Sequence, residues 1–449
     1  MASASQPSTL AVPRRGQLLK ILGVAFGLAV IVGNTIGVGI LRTPGDIAAR
    51  LPSVPWFVGV WIAGGIYALL GALTLAELGA MIPESGGQYV FVRRALGDYP
   101  GFVIGWSDWI SSSASVSAVT IAMGEYSDVL WPALRGHAAA VAITIVVVLT
   151  AIQARGIRAG DLTQQLTSAA KTLVLVGLAV VCLFAGAPAA SPSAPPAGFL
   201  GAGALVLALQ GVIYTYDGWN GLLYFSGEVR NPGRDIPRSM AGGVLTVIGI
   251  YLLLNLAFMH LLPLSRMAGE PLVAATAARE IFGLRGDLVV RGILLVSLFS
   301  AANAILLIAS RLPFALGRDG LMWRGMARVN PGGTPGPSLL ASAIVAILLL
   351  ATGTFDQILA LAAFFFVVNY AASFLSVFVL RRVEPDTPRP YRAWGYPWVT
   401  GLLLVGSLGF LAGNLIADTR NGLVSLVVLG LSYPVYRLTV LARRAPAGT

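Results

Sequence analysis

Two places in this 449-residue chain combine residue types suited to chemistry with a setting that makes them unusual. One apolar run carries Gly33, Gly37 and Gly39, and another carries Tyr216-Asp217-Gly218-Trp219. A helix broken inside a bilayer exposes N–H and C=O groups, which is tolerable only where they line a cavity or bind a ligand. The N–H groups of the resumed half-helix make a positive site suited to a carboxylate. The carbonyls ending the preceding half accept hydrogen bonds from an ammonium group. One break offering donors and another offering acceptors suits a zwitterion such as an α-amino acid. The alternative is that the glycines are only a close-packing face; the matching break in the second run weighs against it.

Lys171, one of two lysines in the chain, lies in TSAAKTLVLVGLAVV. A cation at membrane depth is costly and points to function by default. Lys171 can neutralise a site, stand in for a bound sodium ion, or cycle a proton; the alternative is snorkelling to the near interface. Asp108 in GWSDWI and Asp217 in the second break are deep carboxylates. For Asp217 three roles stay open: selecting cationic substrates, carrying a proton, or capping a half-helix. Glu77 beside Met81-Ile82-Pro83 reads as a gate or, better, a loop anchor. Trp56, Trp61, Trp106 and Trp109 read as an interface belt.

The elements that must hold these residues follow from composition. Of the chain 56% is hydrophobic and 11% charged, with mean hydropathy +0.80. Soluble domains carry about 25% charged residues, so the chain lacks the polar groups to coat a water-facing surface. A soluble enzyme is excluded. The net charge of +11 lies in short basic runs between apolar stretches, a topology signal rather than a nucleic-acid footprint. The single Cys182 forbids an internal disulfide, and His137 and His260 alone make no multi-histidine metal site, so no cofactor or metal is expected.

Windows of about 20 apolar residues predict an all-α membrane protein with twelve transmembrane helices, near 20–41, 56–82, 100–124, 137–154, 163–186, 201–226, 241–262, 288–312, 338–354, 357–380, 398–417 and 421–440. The Ala/Pro/Ser-rich stretch from Gly186 to Gly201 reads as a loop. Twenty-one of the 30 Lys and Arg fall on one set of loops and eight on the alternate set. The positive-inside rule places both termini in the cytoplasm. The broken spans stand about five spans apart, as in an inverted-repeat transporter. That gives a tail 1–19, a first repeat 20–186, a second repeat 201–380, two additional helices in 398–440 and a tail 441–449.

At these residues the chain resembles the amino acid–polyamine–organocation superfamily, in the branch of L-amino acid transporters and their bacterial relatives. The resemblance rests on VGNTIGVGILRTPG, LAELGAMIPESGGQYVFVRRALG, TSAAKTLVL, YTYDGWNGLLYFSGEVRNPGRDIPRSM, SAANAILLIASRLPFALGRDGLM and RRVEPDTPRPYRAWGYP, in the expected order. It implies the LeuT-type five-plus-five inverted repeat with a central substrate site. N–H groups around Gly37, Val38 and Gly39 would hold the substrate carboxylate. Carbonyls near Thr35 and Ile36, with those of Tyr214, Thr215 and Asp217, would hold its ammonium group. Tyr214 would close over the substrate, Asn303 would line the side-chain pocket, and Lys171 would occupy the place of a coupling sodium ion. The chain departs from the family at Val38, where Ser is common, at Thr215, where a small apolar residue is common, and at Asp217, where Gly often stands.

The reading is a secondary transporter of L-amino acids working by sodium-independent exchange, with proton symport as the alternative and a non-transporting sensor more remote. Its partners are a small amino acid and the lipid bilayer, with no nucleic acid and no disulfide-linked glycoprotein. A membrane enzyme would need a nucleophile with a base or a metal site within the bilayer, and the chain offers neither pattern. The Arg-heavy, Lys-poor composition points to a GC-rich bacterium and its inner membrane.

Overall fold

The computed structural model describes residues 18–37, 39–51, 53–185, 202–270, 272–352, 355–417 and 419–444. The windows read from the sequence fall on helices. The first is divided into α1 (Val24–Thr35) and α2 (Gly39–Arg50), followed by α3 (Val54–Met81), α4 (Gln88–Leu96), α5 (Asp98–Leu130), α6 (Ala138–Ala154) and α7 (Ile157–Phe184). The second half holds α8 (Ala202–Tyr216), a 3-10 stretch Gly221–Glu228, α9 (Pro232–Leu261), α10 (Leu264–Met267), α11 (Val273–Phe282) and α12 (Gly286–Arg318). It ends with α13 (Gly336–Thr352), α14 (Phe355–Val383), α15 (Trp398–Ala417) and α16 (Thr419–Arg444). No strand occurs among the described residues, only an isolated parallel bridge between Leu22 and Val229. The expected tails 1–17 and 445–449 and the loop 186–201 lie outside the described residues.

Seven of the described helices are long and apolar enough to cross a membrane. The 33-residue α5 is not among them. Its hydropathy is lowered by Ser107, Ser111, Ser112, Ser113 and Ser117, all of which it turns inward and buries. Two-thirds of the apolar window of α12 is buried (67%), against 17% in α15 and α16, so the last two helices form the rim of the bundle. Leu402, Val405, Leu423 and Val427 are exposed there, a surface that only hydrocarbon solvates at low cost.

One end of the bundle is tied by charge. Arg93 bridges Asp98 and Asp319 at 2.8 Å each, Arg318 holds Glu84 at 3.0 Å, and Arg94 forks onto Glu384. Burial pushes the Asp319 carboxyl up, but bonds from Arg318 and Tyr89 and the nearby Arg93 outweigh it and hold Asp319 below its ordinary range. Arg94 does the same for Glu384. Glu77, fully buried at the end of α3, takes a fork from Arg381 and the backbone N–H of Ala393 at 2.6 Å. It anchors the loop after α14. Both described chain ends meet this face: Leu22 pairs with Glu228 and Arg230, and Tyr433 and Tyr436 pack on Tyr99 at the start of α5.

Candidate functional site

The two breaks abut. α1 stops at Thr35, Ile36 turns to an extended conformation, and α2 resumes at Gly39. α8 stops at Tyr216 and the chain turns through 217–220 into the 3-10 stretch. A methyl group on Gly39 would sit 3.1 Å from the Thr215 side chain. Gly218 has φ +105°, and Asn34 donates to its carbonyl at 3.1 Å. A side chain at 218 would need that left-handed conformation and would meet Asn34 at 2.8 Å. The Thr215 hydroxyl lies 2.8 Å from the Gly211 carbonyl and 3.0 Å from the Thr43 hydroxyl, one proton serving each contact, and so ties α8 to α2.

The carbonyls freed by the breaks are already engaged. Lys171, 1% exposed on α7, donates from Nζ to the Gly33 carbonyl at 2.9 Å and to that of Ile36. The Ser297 hydroxyl lies 3.5 Å from the same Ile36 oxygen. Tyr251 of α9 places its hydroxyl 2.9 Å from the Thr35 carbonyl and 2.8 Å from that of Thr215, one proton shared between the two breaks. The carbonyls of Thr35 and Thr215 each keep a second lone pair for a ligand. Tyr251→Phe leaves two buried acceptors sharing no donor, at about 1–3 kcal/mol. The expected result is transport slowed about tenfold or more with the fold retained, read as initial uptake and thermal midpoint.

A cavity of about 120 Å³ lies against the breaks. Asn34, Thr35, Gly37, Gly39, Thr215 and Asp217 line one wall, and Ser112, Ser115, Ala122, Leu298 and Phe366 line the other. Asn220 and Tyr224 sit toward the charge-tied end, while Ala122 and Leu298 lie toward the opposite end, so the cavity extends away from both chain termini. The first N–H groups of α2 have no partner within the helix. Hydrogen-bond donors and acceptors of the backbone thus meet at this cavity.

Two carboxylates face this cavity. Asp217 accepts a hydrogen bond from the Tyr370 hydroxyl of α14, whose ring stacks on Trp219 at 4.8 Å. Asp108, 1% exposed on α5, accepts one from Tyr224 at 2.6 Å. Neither makes an ion pair among the described residues, and Lys171 is not in the cavity wall.

Asn303 stands one layer back. It is fully buried, donates to Gln164 at 2.7 Å and accepts from Gln153 at 2.9 Å, and it does not line the cavity. Val38 lies outside the described residues, and Tyr214 is described only as a backbone position in the last turn of α8. Sequence reasoning missed Tyr251, Tyr370, Tyr224, Asn34 and Ser112. Asn34, a lone amide in an apolar run, was the one signal among them.

The family model for amino acid permease matches residues 22–433. The chain is 30% identical over 429 residues to the serine/threonine exchanger SteT of Bacillus subtilis, covering 93% of this chain and 96% of that protein. It is 28% identical over 392 residues to the human b(0,+)-type amino acid transporter 1, covering 85% and 80%. It is likewise 28% identical over 390 residues to the human large neutral amino acids transporter small subunit 2, covering 84% and 72%. The matched family and these relatives are transporters and not enzymes.

Proposed function

The chain belongs to the amino acid permease family, and from that premise we propose that it carries L-amino acids across the cell membrane by alternating access, as a sodium-independent exchanger. The observation that carries this reading is the meeting of two helix breaks at one cavity, one supplying backbone donors and both supplying carbonyl acceptors, as the two ends of a zwitterion require. N–H groups at Gly37, Val38 and Gly39 take the substrate carboxylate. The carbonyls of Thr35, Ile36, Tyr214, Thr215 and Asp217 take its ammonium group, and Tyr214 closes over it. Asn303 supports the pocket through Gln164 rather than touching substrate.

Lys171 supports sodium independence, because its ammonium already occupies the oxygens that a small cation would use. The chain crosses the bilayer twelve times, as two five-helix repeats plus two helices, with both termini in the cytoplasm. The ion pairs then seal the cytoplasmic side, and the cavity opens outward.

The test is uptake of a labelled amino-acid panel into proteoliposomes, empty or preloaded with unlabelled amino acids, without an ion gradient. Uptake confined to preloaded vesicles is expected. Equal uptake into empty vesicles would overturn exchange; silence in both leaves proton symport, which an imposed pH gradient then tests, and silence under that gradient as well would overturn transport. Proton symport is the second reading, favoured by the two unpaired carboxylates at the cavity.

A further inference from the structure

Asp108 is the carboxylate that the exchange reading leaves without a task. It lies on α5, which runs through the bundle from the charge-tied end, and its partner Tyr224 lies on the 3-10 stretch. Their 2.6 Å bond spans the cavity floor and joins two elements that are otherwise separate in the chain. The floor continues below: Asn220 approaches the Tyr224 hydroxyl at 3.4 Å and donates to Gln88 at 3.2 Å. Among the described residues Gln88 Nε2 and Asn369 Nδ2 are buried donors without a partner, and the Asn369 amide oxygen accepts from Ser107, next to Asp108, at 3.1 Å. Unsatisfied buried amides of this kind are sites that ordered water fills, and these two are linked to the acid through Asn220 and Tyr224 on one route and through Ser107 on the other.

The charged and titratable groups around Asp108 leave it no counter-ion. The 3-10 stretch presents Tyr224 and Glu228, and Glu228 is taken by Arg311 of α12. The turn before it presents Asp217, and α14 presents Tyr370, already bonded to Asp217. α4 presents Tyr89, bonded to Asp319, with Arg93 and Arg94 bound to carboxylates at the charge-tied end. The remaining cations of α12 lie at its two ends, Arg291 over the Tyr126 ring and Arg318 on Asp319. α16 brings Tyr433 and Tyr436 against Tyr99, with Arg437 and the basic end of the helix beyond, and α6 and α13 carry no titratable side chain.

With 1% exposure Asp108 is too enclosed for a guanidinium or a hydrated metal ion. A proton passed along water in the cavity reaches it. An ionised carboxylate accepts a charge-assisted bond, roughly twice as strong as a neutral one. The ionised acid therefore clamps the 3-10 stretch to α5, and the neutral acid loosens it.

We propose that Asp108 is a proton-binding site on the cavity floor, and that its protonation releases Tyr224 so that the 3-10 stretch can swing and transport can proceed. The proton arrives from cavity water at the carboxylate oxygen that Tyr224 leaves free. It departs to water on the opposite side once the floor has opened. This inference rests on the transport reading and gives the acid a place in it.

The test uses the full chain in proteoliposomes preloaded with an amino acid that the panel identifies. From about pH 8 to about pH 5.5 the exchange rate of the wild type should rise about fivefold, the worth of one bond's charge assistance. Asp319 and Glu384, held low by their arginines, stay ionised across that window. Asp108→Asn should flatten the pH profile, whatever its absolute rate. Tyr224→Phe, which keeps the acid but loses the clamp, should flatten the profile as well.

A wild type that exchanges amino acids with a flat profile overturns the proton site and leaves the transport reading standing. Variants that keep the wild-type slope also overturn it. A wild type that moves no amino acid overturns the transport reading instead. The site is then read by infrared titration, where Asp108→Asn should remove a carboxylic-acid band; loss of no band overturns it.

Discussion

Lys171→Ala should lose sodium-independent exchange by about 100-fold, and added sodium should recover part of it. The loss follows from where α1 ends. The carbonyls of Gly33 and Ile36 lie at its last turn, where the helix offers no further N–H donors. In a bilayer no water supplies them, and Lys171 Nζ serves both. Truncation removes the charged donor from both carbonyls, leaving that of Ile36 only the long 3.5 Å bond from Ser297, at about 1–3 kcal/mol for each lost bond, and removes the charge that balances a site of carbonyl oxygens. The break then loses the shape that sets Gly37 and Gly39 on the cavity wall. The space left beside the Ser297 hydroxyl and the two carbonyls is a hard-oxygen cage of the kind small cations accept. Exchange assayed in sodium chloride and in potassium chloride separates the roles. Recovery in sodium alone makes Lys171 a cation surrogate. Equal failure in both salts makes it a hydrogen-bond donor only, and exchange at the wild-type rate would sink both.

Much of the site can be read from the chain because glycine, lysine and aspartate are conspicuous in apolar runs. Gly37, Gly39 and Gly218 mark the interruptions, and Lys171 is a cation with no polar neighbourhood to explain it. Their partners are not visible in the same way. Tyr251 sits in GIYLLLNLAF, where an aromatic looks like core, yet its hydroxyl lies between two breaks that are far apart in sequence. Tyr370 reaches Asp217 across 153 positions, and Asn303 reaches Gln164 across 139. Hydrogen bonds between helices depend on rotation and depth, which spacing within one helix does not determine. The 3-10 geometry of Gly221–Glu228 was equally hidden. A 3-10 run of eight residues is longer than usual. Here it is buried along most of its length, with Leu222, Leu223 and Phe225 at 0–1% exposure and Gly221 pressed against Val30 and Ile308.

That 3-10 stretch ends in the pair whose disruption should cost the fold most. Glu228 and Arg311 are both 0% exposed and meet in a fork, with bonds of 3.1 and 3.0 Å. Two further guanidinium protons, both on Nη1, go to Ser310 and the Leu307 carbonyl, and the group lies 4.7 Å over the Phe225 ring. Arg311→Leu leaves a buried carboxylate without a counter-ion, and breaking such a pair costs about 3–5 kcal/mol. Glu228→Gln strands the arginine at a similar cost. Arg311→Lys keeps the charge but not the fork and should fall between. The double variant Glu228→Leu with Arg311→Met removes both charges, and apolar replacement of a whole pair is often neutral or stabilising by about 1–4 kcal/mol. It should therefore regain most of the thermal midpoint. It should not regain normal transport. The backbone of Glu228 is bonded to Leu22 at 3.0 Å, so the pair also fixes α12 to the segment that enters α1. Without it the charge-tied end opens more readily, and a thiol reagent applied from that side should reach a cysteine placed at Ser112 faster than in the paired protein. A single Arg311→Leu variant that melts with the wild type would show that the pair carries no such weight. A double variant with wild-type exchange and unchanged labelling would show that the latch lies elsewhere.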